Sequence, residues 1–320
     1  MISLRYFRKA KTIAVSSYDE LLSCCQELRQ SHPKTPYHLI LKTTDEVGNL
    51  VFPYSYFWIT QQSGSLTSTL FANQLNSAGK PLTTWKTAAL KITGSHNIFE
   101  GLNVRNSSGQ PEVKGQEVAL GIYNTDNLFL NCHFVSTQDT LFVGPLPDDL
   151  MTRYLGFLPE NERYFEGLAF NGFKNCRIEG TVDFIFGAGQ ALFEDCTLVT
   201  LADVRKETYV VAPSHSLKDD IGFLFEHCQF VAGAGVEDDS TFLARPWRDY
   251  GKAVFHDCHY AKHISVLGFH DWSDVNRTKT CRFEEYPLGE GRVTWTRNQK
   301  GSTLPRRYET LIRQFNKASR

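Results

Sequence analysis

A short sequence frame recurs six times along this 320-residue chain and constrains its fold more than any other feature. In each copy a polar or turn-forming residue is followed by a cysteine, a residue expected to face outward, and a large apolar residue. The copies are Asn131-Cys132-His133-Phe134, Asn175-Cys176-Arg177-Ile178, Asp195-Cys196-Thr197-Leu198, His227-Cys228-Gln229-Phe230, Asp257-Cys258-His259-Tyr260 and Thr280-Cys281-Arg282-Phe283. Successive cysteines lie 44, 20, 32, 30 and 23 positions apart. A constant frame with variable spacing is typical of a solenoid whose coils carry loops of different length.

The cysteines themselves predict buried thiols rather than disulfides. Eight cysteines in 320 residues are too few for a disulfide scaffold. Free cysteine is small and readily buried, so we expect the six repeated cysteines to stack inside the solenoid and all eight to be reduced.

The segments between the cysteines favour strands. Leu192-Phe193-Glu194 and Gly222-Phe223-Leu224-Phe225-Glu226 are short, rich in aromatic and aliphatic residues, and close to turn-forming residues. Helical periodicity occurs near the start, after the capping-box pattern Ser17-Tyr18-Asp19-Glu20, and near the end, after Pro305. These patterns predict a parallel β-helix with a helix covering each end. No Pro/Gly/Ser-rich linker interrupts the chain, which predicts one domain over residues 1–320.

Composition and charge exclude several classes of protein. With 34 Lys+Arg against 35 Asp+Glu, the chain lacks the basic surplus of a nucleic-acid binder. It has no run of about 18 apolar residues, so no membrane span is predicted. The basic start, Met1 to Lys11, is not followed by the apolar region of a secretory signal. We therefore expect a cytoplasmic protein, the alternative being a secreted one whose leader has been trimmed. The sequence leaves its protein partners unknown.

Common catalytic motifs are missing from the sequence. It contains no G-x-S-x-G elbow, no phosphate-binding G-x-x-x-x-G-K-[ST] loop and no H-E-x-x-H helix. His256, Cys258 and His259 suggest a zinc site only weakly, because successive strand residues point to opposite faces. These residues are better interpreted as turn residues, and neither a metal nor a cofactor is predicted.

Four segments carry polar residues where a strand should be apolar: 114–120, 136–142, 180–187 and 242–247. A carboxylate such as Asp183, within Val-Asp-Phe-Ile-Phe, is costly to bury unless it is paired or lies in a cleft. Taken singly, each segment could supply a turn cap or a structural ion pair. Together the four segments indicate one polar site.

The four segments closely resemble, in order, motifs of the pectin methylesterases, or pectinesterases, which remove methyl esters from polygalacturonate. Gln116 lies in G-Q-E-V-A-L, Gln138 and Asp139 in Q-D-T-L-F, Asp183 in G-T-V-D-F-I-F-G, and Arg245 in A-R-P-W. The resemblance is strongest over residues 83–295 and suggests a bacterial-type member without a signal peptide. It implies an all-β fold, a right-handed parallel β-helix with short capping helices at the ends.

The resemblance also implies a role for each matched residue. Asp183 would be the nucleophile that forms an acyl-enzyme, and Asp139 the general acid and base. Arg245 would orient Asp183, and the amides of Gln116 and Gln138 would form an oxyanion hole. The implied substrate is methyl-esterified galacturonan, either pectin or oligogalacturonides. Aromatic residues matched to the family's sugar-binding cleft are Trp85, Phe142, Phe186, Trp247 and Trp272.

Two departures from the family and two alternative functions bear on this assignment. Ala244 stands where the family usually has glycine, and its methyl group is expected to crowd the cleft. A longer loop, from Gly144 to Arg163, is expected to wall off one end of the cleft and to favour short substrates. The alternatives are a pectate lyase-like enzyme, which would need several carboxylates for calcium and a basic residue, and a catalytically silent β-helix that binds carbohydrate.

Overall fold

The computed structural model describes residues 1–42, 45–108, 115–146, 149, 169–293 and 303–320. Its described part is built mainly from short strands and two α-helices. The strands are β1 Lys11–Val15, β2 Tyr37–Lys42, β3 Glu46–Val47, β4 Leu50–Phe52, β5 Phe57–Ser63, β6 Leu66–Ser68, β7 Leu90–Ile92, β8 Ile98–Glu100, β9 Asn103–Asn106, β10 Leu120–Ile122, β11 Leu128–Leu130, β12 His133–Val135, β13 Leu141–Val143, β14 Phe170–Lys174, β15 Arg177–Gly180, β16 Val182–Gly187, β17 Gln190–Glu194, β18 Thr197–Thr200, β19 Thr208–Pro213, β20 Phe223–Glu226, β21 Gln229–Ala232, β22 Thr241–Ala244, β23 Lys252–His256, β24 His259–Tyr260 and β25 Arg282–Tyr286. The helices are α1 Tyr18–Ser31 and α2 Arg306–Ala318.

The strands form three parallel sheets, and each central coil of the chain adds one strand to each sheet. Sheet A has the order β1-β2-β5-β8-β11-β14-β17-β20-β23-β25. Sheet B has the order β24-β21-β18-β15-β12-β9-β6-β3, and sheet C the order β22-β19-β16-β13-β10-β7-β4. The expected right-handed parallel β-helix is confirmed.

In-register stacking of like residues builds the interior of sheet A. Phe129, Phe173, Phe193 and Phe225 occupy equivalent positions on successive strands. Their ring centroids are 4.6 to 4.8 Å apart and the rings are tilted by 9° to 11°. Parallel strands lie about 4.7–4.9 Å apart, so identical aromatic rings repeat at a spacing that suits offset stacking.

Five of the six repeated cysteines form the expected ladder at the turn from sheet A to sheet B. Each follows a residue with positive φ, and these residues are Asn131, Asn175, Asp195, His227 and Asp257, at 53°, 53°, 54°, 52° and 47°. Asn and Asp adopt this left-handed conformation more readily than most residues. Each ladder thiol donates to a carbonyl of the preceding coil, as Cys196 does to Phe173 O. All eight cysteines are free.

Cys281 does not belong to the ladder, although the sequence frame predicts that it does. It precedes β25, which pairs with β23 in sheet A, whereas the other five cysteines follow a sheet A strand. The preceding Thr280 is in the right-handed region, at φ −119°. Cys281 is buried, so it satisfies the same apolar pattern at a different corner of the coil, and the local frame alone does not distinguish the two corners.

Both predicted helices are present, and they cover different surfaces. The side chain of Ser17 caps α1 by accepting from Glu20 N, and Tyr18 and Leu21 pack into the core at the first coils. Helix α2 instead lies across the outer face of sheet A, where Tyr308 and Phe315 pack against outward side chains such as Leu192. Neither helix, nor any other in the described ranges, has the length and apolar character needed to cross a membrane.

Candidate active site

A cleft of about 400 Å³ lies along the outer side of sheet C. The residues that line it are Thr83, Thr84, Trp85, Gln116, Gln138, Asp139, Asp183, Phe186, Ala212, Arg245, Trp247, Arg248 and Trp272. The five residues matched to the catalytic motifs are therefore brought together at one place. They come from four of five consecutive coils, since Gln116 precedes β10, Gln138 and Asp139 precede β13, Asp183 lies in β16 and Arg245 follows β22, with β19 between the last two.

Asp183 and Arg245 form a two-point ion pair at the floor of the cleft. Arg245 Nε donates to Asp183 Oδ1 at 2.7 Å, and its Nη2 donates to Oδ2 at 2.6 Å. The two side chains are 8% and 16% exposed, so little water competes for either group. Bidentate pairs of this kind are short and fix the orientation of the carboxylate.

Two aromatic rings enclose the Arg245 guanidinium. Its Cζ atom lies 3.8 Å from the ring centroid of Tyr209 and 3.8 Å from that of Trp272. A guanidinium between two rings is held by cation–π attraction and by packing. Arg245 therefore has little freedom to leave Asp183.

Asp139 has the environment of a carboxylic acid that keeps its proton. Burial, followed by the negative charge of Asp183, raises the pKa of the Asp139 carboxyl well above its usual range, against the opposing effects of Arg245, Gln138 and Arg205. Two neighbouring carboxyl groups whose environments differ in this way separate into an acid and a base. The pair can thus provide a proton donor, Asp139, beside a second carboxyl group that is bound to Arg245.

The backbone at both carboxyl groups is in an uncommon conformation. Asp139 has φ 68° and Asp183 has φ 51°. The pairing of β16 with β19 shifts register between Val182 and Ile185, so a bulge at Asp183 interrupts the regular alternation of the strand. Positive φ at residues other than glycine is disfavoured and clusters at functional sites. The bulge explains how a charged side chain in an apolar strand reaches the cleft.

A second ion pair orients the amide of Gln138. Arg205 Nη1 donates to Gln138 Oε1 at 2.9 Å. Asp203 holds Arg205, since Nε donates to its Oδ1 at 2.7 Å and Nη2 to its Oδ2 at 2.6 Å. Burial alone would raise the pKa of Asp203, but the bonds from Arg205 outweigh it and the pKa is lowered. Because the amide oxygen is occupied, the Gln138 NH₂ group is the end available as a donor in the cleft.

Four of the five predicted aromatic residues line the cleft, and Phe142 does not. Trp85, Phe186, Trp247 and Trp272 all contribute to its walls. Phe142 is only 1% exposed because Trp85 and Tyr123 cover its ring, with centroids 5.2 and 5.0 Å away. Its place on the outer side of sheet C is as expected, but it supports the wall from beneath rather than presenting a face to a ligand.

Ala244 also differs from expectation. Its side chain is fully buried and belongs to the apolar core between the sheets, so its methyl group does not crowd the cleft. Its neighbour Leu243 belongs to the same core, so the regular alternation of strand β22 is interrupted at this end and Ala244 lies inward. Most of the predicted loop at 144–163 lies outside the described residues, which include only 144–146 and 149 of it.

Sequence reasoning missed Tyr209, Arg205 and Arg248. Tyr209 is part of a β-rich run that resembles any buried strand, and Arg205 lies in a polar loop, so neither carries a signal of its own. Arg248 follows Trp247 directly and could have been found by extending the A-R-P-W motif. Thr83, which also lines the cleft, has a positive φ of 64°, a conformation that is uncommon for a β-branched residue.

The histidine cluster considered for zinc has another arrangement. His256 Nδ1 lies 2.6 Å from Glu226 Oε2, and His227 Nε2 lies 3.4 Å from Glu226 Oε1. The hydrogen bond to Glu226 raises the pKa of His256. Among the described residues, no three His, Cys, Asp or Glu side chains are arranged to hold a metal ion.

Comparison with known proteins identifies what the chain is similar to. Residues 169–310 match the family model for pectinesterase. Probable pectinesterase/pectinesterase inhibitor 21 of Arabidopsis thaliana is 28% identical over 228 residues, which is 67% of this chain and 30% of that protein. The chain thus spans less than a third of the length of this curated relative.

Solved structures share the fold over most of the chain. Pectin methylesterase PemA from Erwinia chrysanthemi superposes with a TM-score of 0.66 at 22% identity, covering 92% of this chain and 98% of that one. A pectin methylesterase in complex with a hexasaccharide gives a TM-score of 0.66 at 22% identity, covering 88% and 94% of the two chains.

Proposed function

The chain belongs to the pectinesterase family, and we propose that it hydrolyses the C6 methyl esters of methylated galacturonan to free carboxylate and methanol. The observation that carries the proposal is the pairing of two unlike carboxyl groups in one cleft. Asp183 is paired with and oriented by Arg245, while the pKa of Asp139 is raised by burial and by Asp183. Nucleophilic ester hydrolysis needs one group of each kind.

In the first half-reaction, an Asp183 oxygen attacks the ester carbonyl carbon and forms a tetrahedral oxyanion. Gln138, whose amide is oriented by Arg205, and Gln116 donate to that oxyanion. One such donor is worth about 3–4 kcal/mol in the transition state. The C–O bond to methanol then breaks, Asp139 gives its proton to the leaving oxygen, and Asp183 remains as an acyl-enzyme anhydride.

In the second half-reaction, water replaces methanol. Asp139, now ionised, takes a proton from water as the water attacks the acyl carbon. Collapse of the second oxyanion releases the galacturonic acid product and restores Asp183, while Asp139 again holds a proton; the product then loses its proton to bulk water and becomes the carboxylate. Atoms and charge balance over the cycle, and each step uses a group that lines the cleft.

Methylated galacturonan suits the walls of the cleft, whether as pectin or as oligogalacturonides. Trp85, Phe186, Trp247 and Trp272 provide apolar faces on which sugar rings can stack. A solved pectin methylesterase of the same fold was crystallised with a hexasaccharide. Comparing kcat/KM per ester on methylated trimers with that on polymeric pectin measures the preferred length.

The deciding test is a methanol-release assay on highly esterified pectin and on methylated oligogalacturonides. We expect methanol and free carboxylate in equal amounts, with no unsaturated product, in the presence of a chelator. Calcium-dependent formation of unsaturated product would favour the lyase alternative. Binding of oligosaccharide by folded protein without methanol release would favour the catalytically silent β-helix.

A further inference from the structure

His270 supports both of the aromatic rings that enclose the Arg245 guanidinium. Its imidazole packs roughly perpendicular to the Tyr209 ring, with centroids 5.4 Å apart, and to the Phe242 ring, with centroids 5.0 Å apart. Its Nδ1 accepts a hydrogen bond from the backbone N–H of Trp272 at 3.0 Å. Tyr209 and Trp272 are the rings whose centroids lie 3.8 Å from Arg245 Cζ. One side chain behind the cleft therefore contacts both sides of the enclosure.

The backbone at Trp272 is in a conformation that needs support. Trp272 has φ 59° and Ser273 has φ 57°, so two successive residues other than glycine are in the left-handed region. Such residues persist where the surrounding contacts hold them. Two side-chain acceptors do so here, because His270 Nδ1 binds Trp272 N and Asp271 Oδ1 binds Ser273 N at 2.7 Å. Loss of the His270 bond thus frees the backbone that places the Trp272 ring.

The bond from Trp272 fixes the protonation state of His270. Since a backbone N–H can only donate, Nδ1 is the unprotonated nitrogen of a neutral imidazole, with the hydrogen on Nε2. Protonation of the ring converts Nδ1 into a donor that faces the Trp272 N–H, and the bond is then lost. The side chain is 27% exposed, so protons from water reach it. Histidine is the side chain that ordinarily changes charge between about pH 5 and 8. The enclosure of Arg245 is therefore joined to a group that can gain a proton in acidic solution.

Charged groups face His270 from its own segment and from the strands packed against it. On its own segment, Asp271 Oδ1 lies 3.8 Å from Nδ1. On the side of β19, Glu207 Oε2 accepts from the Tyr209 hydroxyl at 2.9 Å, and Arg245, which follows β22, lies on that ring. The carboxylates stabilise a protonated imidazole and the guanidinium opposes it. Asp271 is the nearest of these groups, so a protonated His270 has a carboxylate with which to pair.

We propose that His270 is a positioning residue for the ester hydrolysis proposed above, on which this inference rests. As a neutral imidazole it holds Trp272 against Arg245, and Arg245 in turn holds the Asp183 carboxylate by its two-point bond. When His270 gains a proton, Trp272 is released, Arg245 loses one of its two rings, and Asp183 loses its fixed orientation. Activity therefore falls in acid because of a group that lies outside the two catalytic carboxyl groups.

The first experiment measures methanol release against pH for two variants at position 270. His270→Asn keeps an acceptor, since the Oδ1 of asparagine binds the N–H two residues on in an Asx turn, and it has no imidazole to protonate. We expect it to keep most of the wild-type kcat at neutral pH and to hold that activity to lower pH. His270→Phe keeps a ring beside Tyr209 but has no acceptor, so its kcat at neutral pH should be about tenfold below wild type, the effect of one lost hydrogen bond. An acidic limb at the same pH in wild type and His270→Asn would overturn the proposal.

A second experiment needs no turnover and separates this inference from the proposed function. Tryptophan fluorescence is followed from neutral to acidic pH, because the emission of Trp272 should change as its ring leaves the guanidinium. We expect a transition in wild type that is absent from Trp272→Phe, which identifies its source, and absent from His270→Asn. His259→Asn is the matched control, since His259 is exposed on sheet B, and it should behave as wild type does.

The outcomes of the two experiments are distinguishable. No fluorescence transition in wild type, or an unchanged one in His270→Asn, would overturn the positioning role. Failure of wild type to release methanol at any pH would overturn the esterase and leave the fluorescence result to judge His270.

Discussion

The interior of sheet A and the cleft on sheet C are built from the same coils, but the pattern of side chains from coil to coil differs between them. In sheet A, successive coils repeat one residue type at one position, as in the stacked rings of Phe173, Phe193 and Phe225. In sheet C, successive coils place different polar residues side by side, and Asp139, Asp183 and Arg245 each occur once. Repetition suits a regular apolar interior, whereas chemistry requires unlike groups at matched positions. The parallel register supplies both, because it aligns whatever the coils carry.

The largest expected effect is on the cleft. Asp183→Asn removes the proposed nucleophile but keeps an acceptor for Arg245, so methanol release should fall at least ~10⁴-fold. Circular dichroism should show an unchanged β-rich fold, because sheet A and its ladders are untouched. Turnover near the wild-type rate by the folded variant would remove Asp183 from the mechanism.

The complementary change is in the stack of phenylalanine rings inside sheet A. Phe193→Ala removes one ring from the stack and should lower the free energy of unfolding by about 3–5 kcal/mol, the usual cost of a large cavity. The cleft residues keep their own contacts, so kcat of the folded fraction should stay close to wild type. Urea unfolding with methanol assays at low temperature measures both quantities. A large loss of kcat without loss of stability would show that the two regions are coupled.

Arg205→Ala tests whether the cleft depends on its second ion pair. Loss of the bond to Gln138 Oε1 leaves the amide free to rotate, so kcat should fall by about 10- to 100-fold with little change in KM. The control is to make Arg205→Ala in protein that already carries Gln138→Ala. If Arg205 acts through Gln138, the double variant should lose little more than Gln138→Ala alone; additive losses would contradict that route.

The raised pKa of Asp139 leads us to expect a particular dependence of activity on pH. Because its pKa is raised, chiefly by burial and then by Asp183, the proton donor is present at low pH and is lost as pH rises through that pKa. We expect kcat/KM to fall over the same range. Arg205 opposes the rise, so Arg205→Ala should move the falling limb to higher pH. A limb that does not move would mean that another group controls it.

The smallest expected effect is the pH-dependent change in stability caused by Asp139→Asn. A carboxyl whose pKa is raised on folding stabilises the native state below its unfolded pKa, and this contribution is lost as pH rises through the folded pKa. Asp139→Asn cannot ionise, so its unfolding midpoint should exceed that of wild type at neutral pH, by a few degrees, and the two should converge in acid. Thermal scans across pH measure the difference, and a constant offset at all pH values would contradict the assignment.

The sequence by itself determined the solenoid, because the frame around Cys132, Cys176, Cys196, Cys228 and Cys258 repeats a local turn whose left-handed residue and buried thiol are short-range properties. It also supplied the five residues of the proposed catalytic site, since their motifs match a known family. Tertiary structure decided what depends on long-range neighbours. It placed Cys281 at another corner, buried Phe142 beneath Trp85, and turned Ala244 inward.

Residues far apart in the chain also meet only in the folded coil. Arg205 reaches Gln138 and Tyr209 stacks on Arg245 because stacked coils bring positions from different turns within contact distance. Such contacts leave no local pattern in the sequence, since each partner resembles an ordinary loop or strand residue. The raised pKa of Asp139 has the same origin, because burial and the distance to Asp183 are properties of the assembled sheet rather than of either segment.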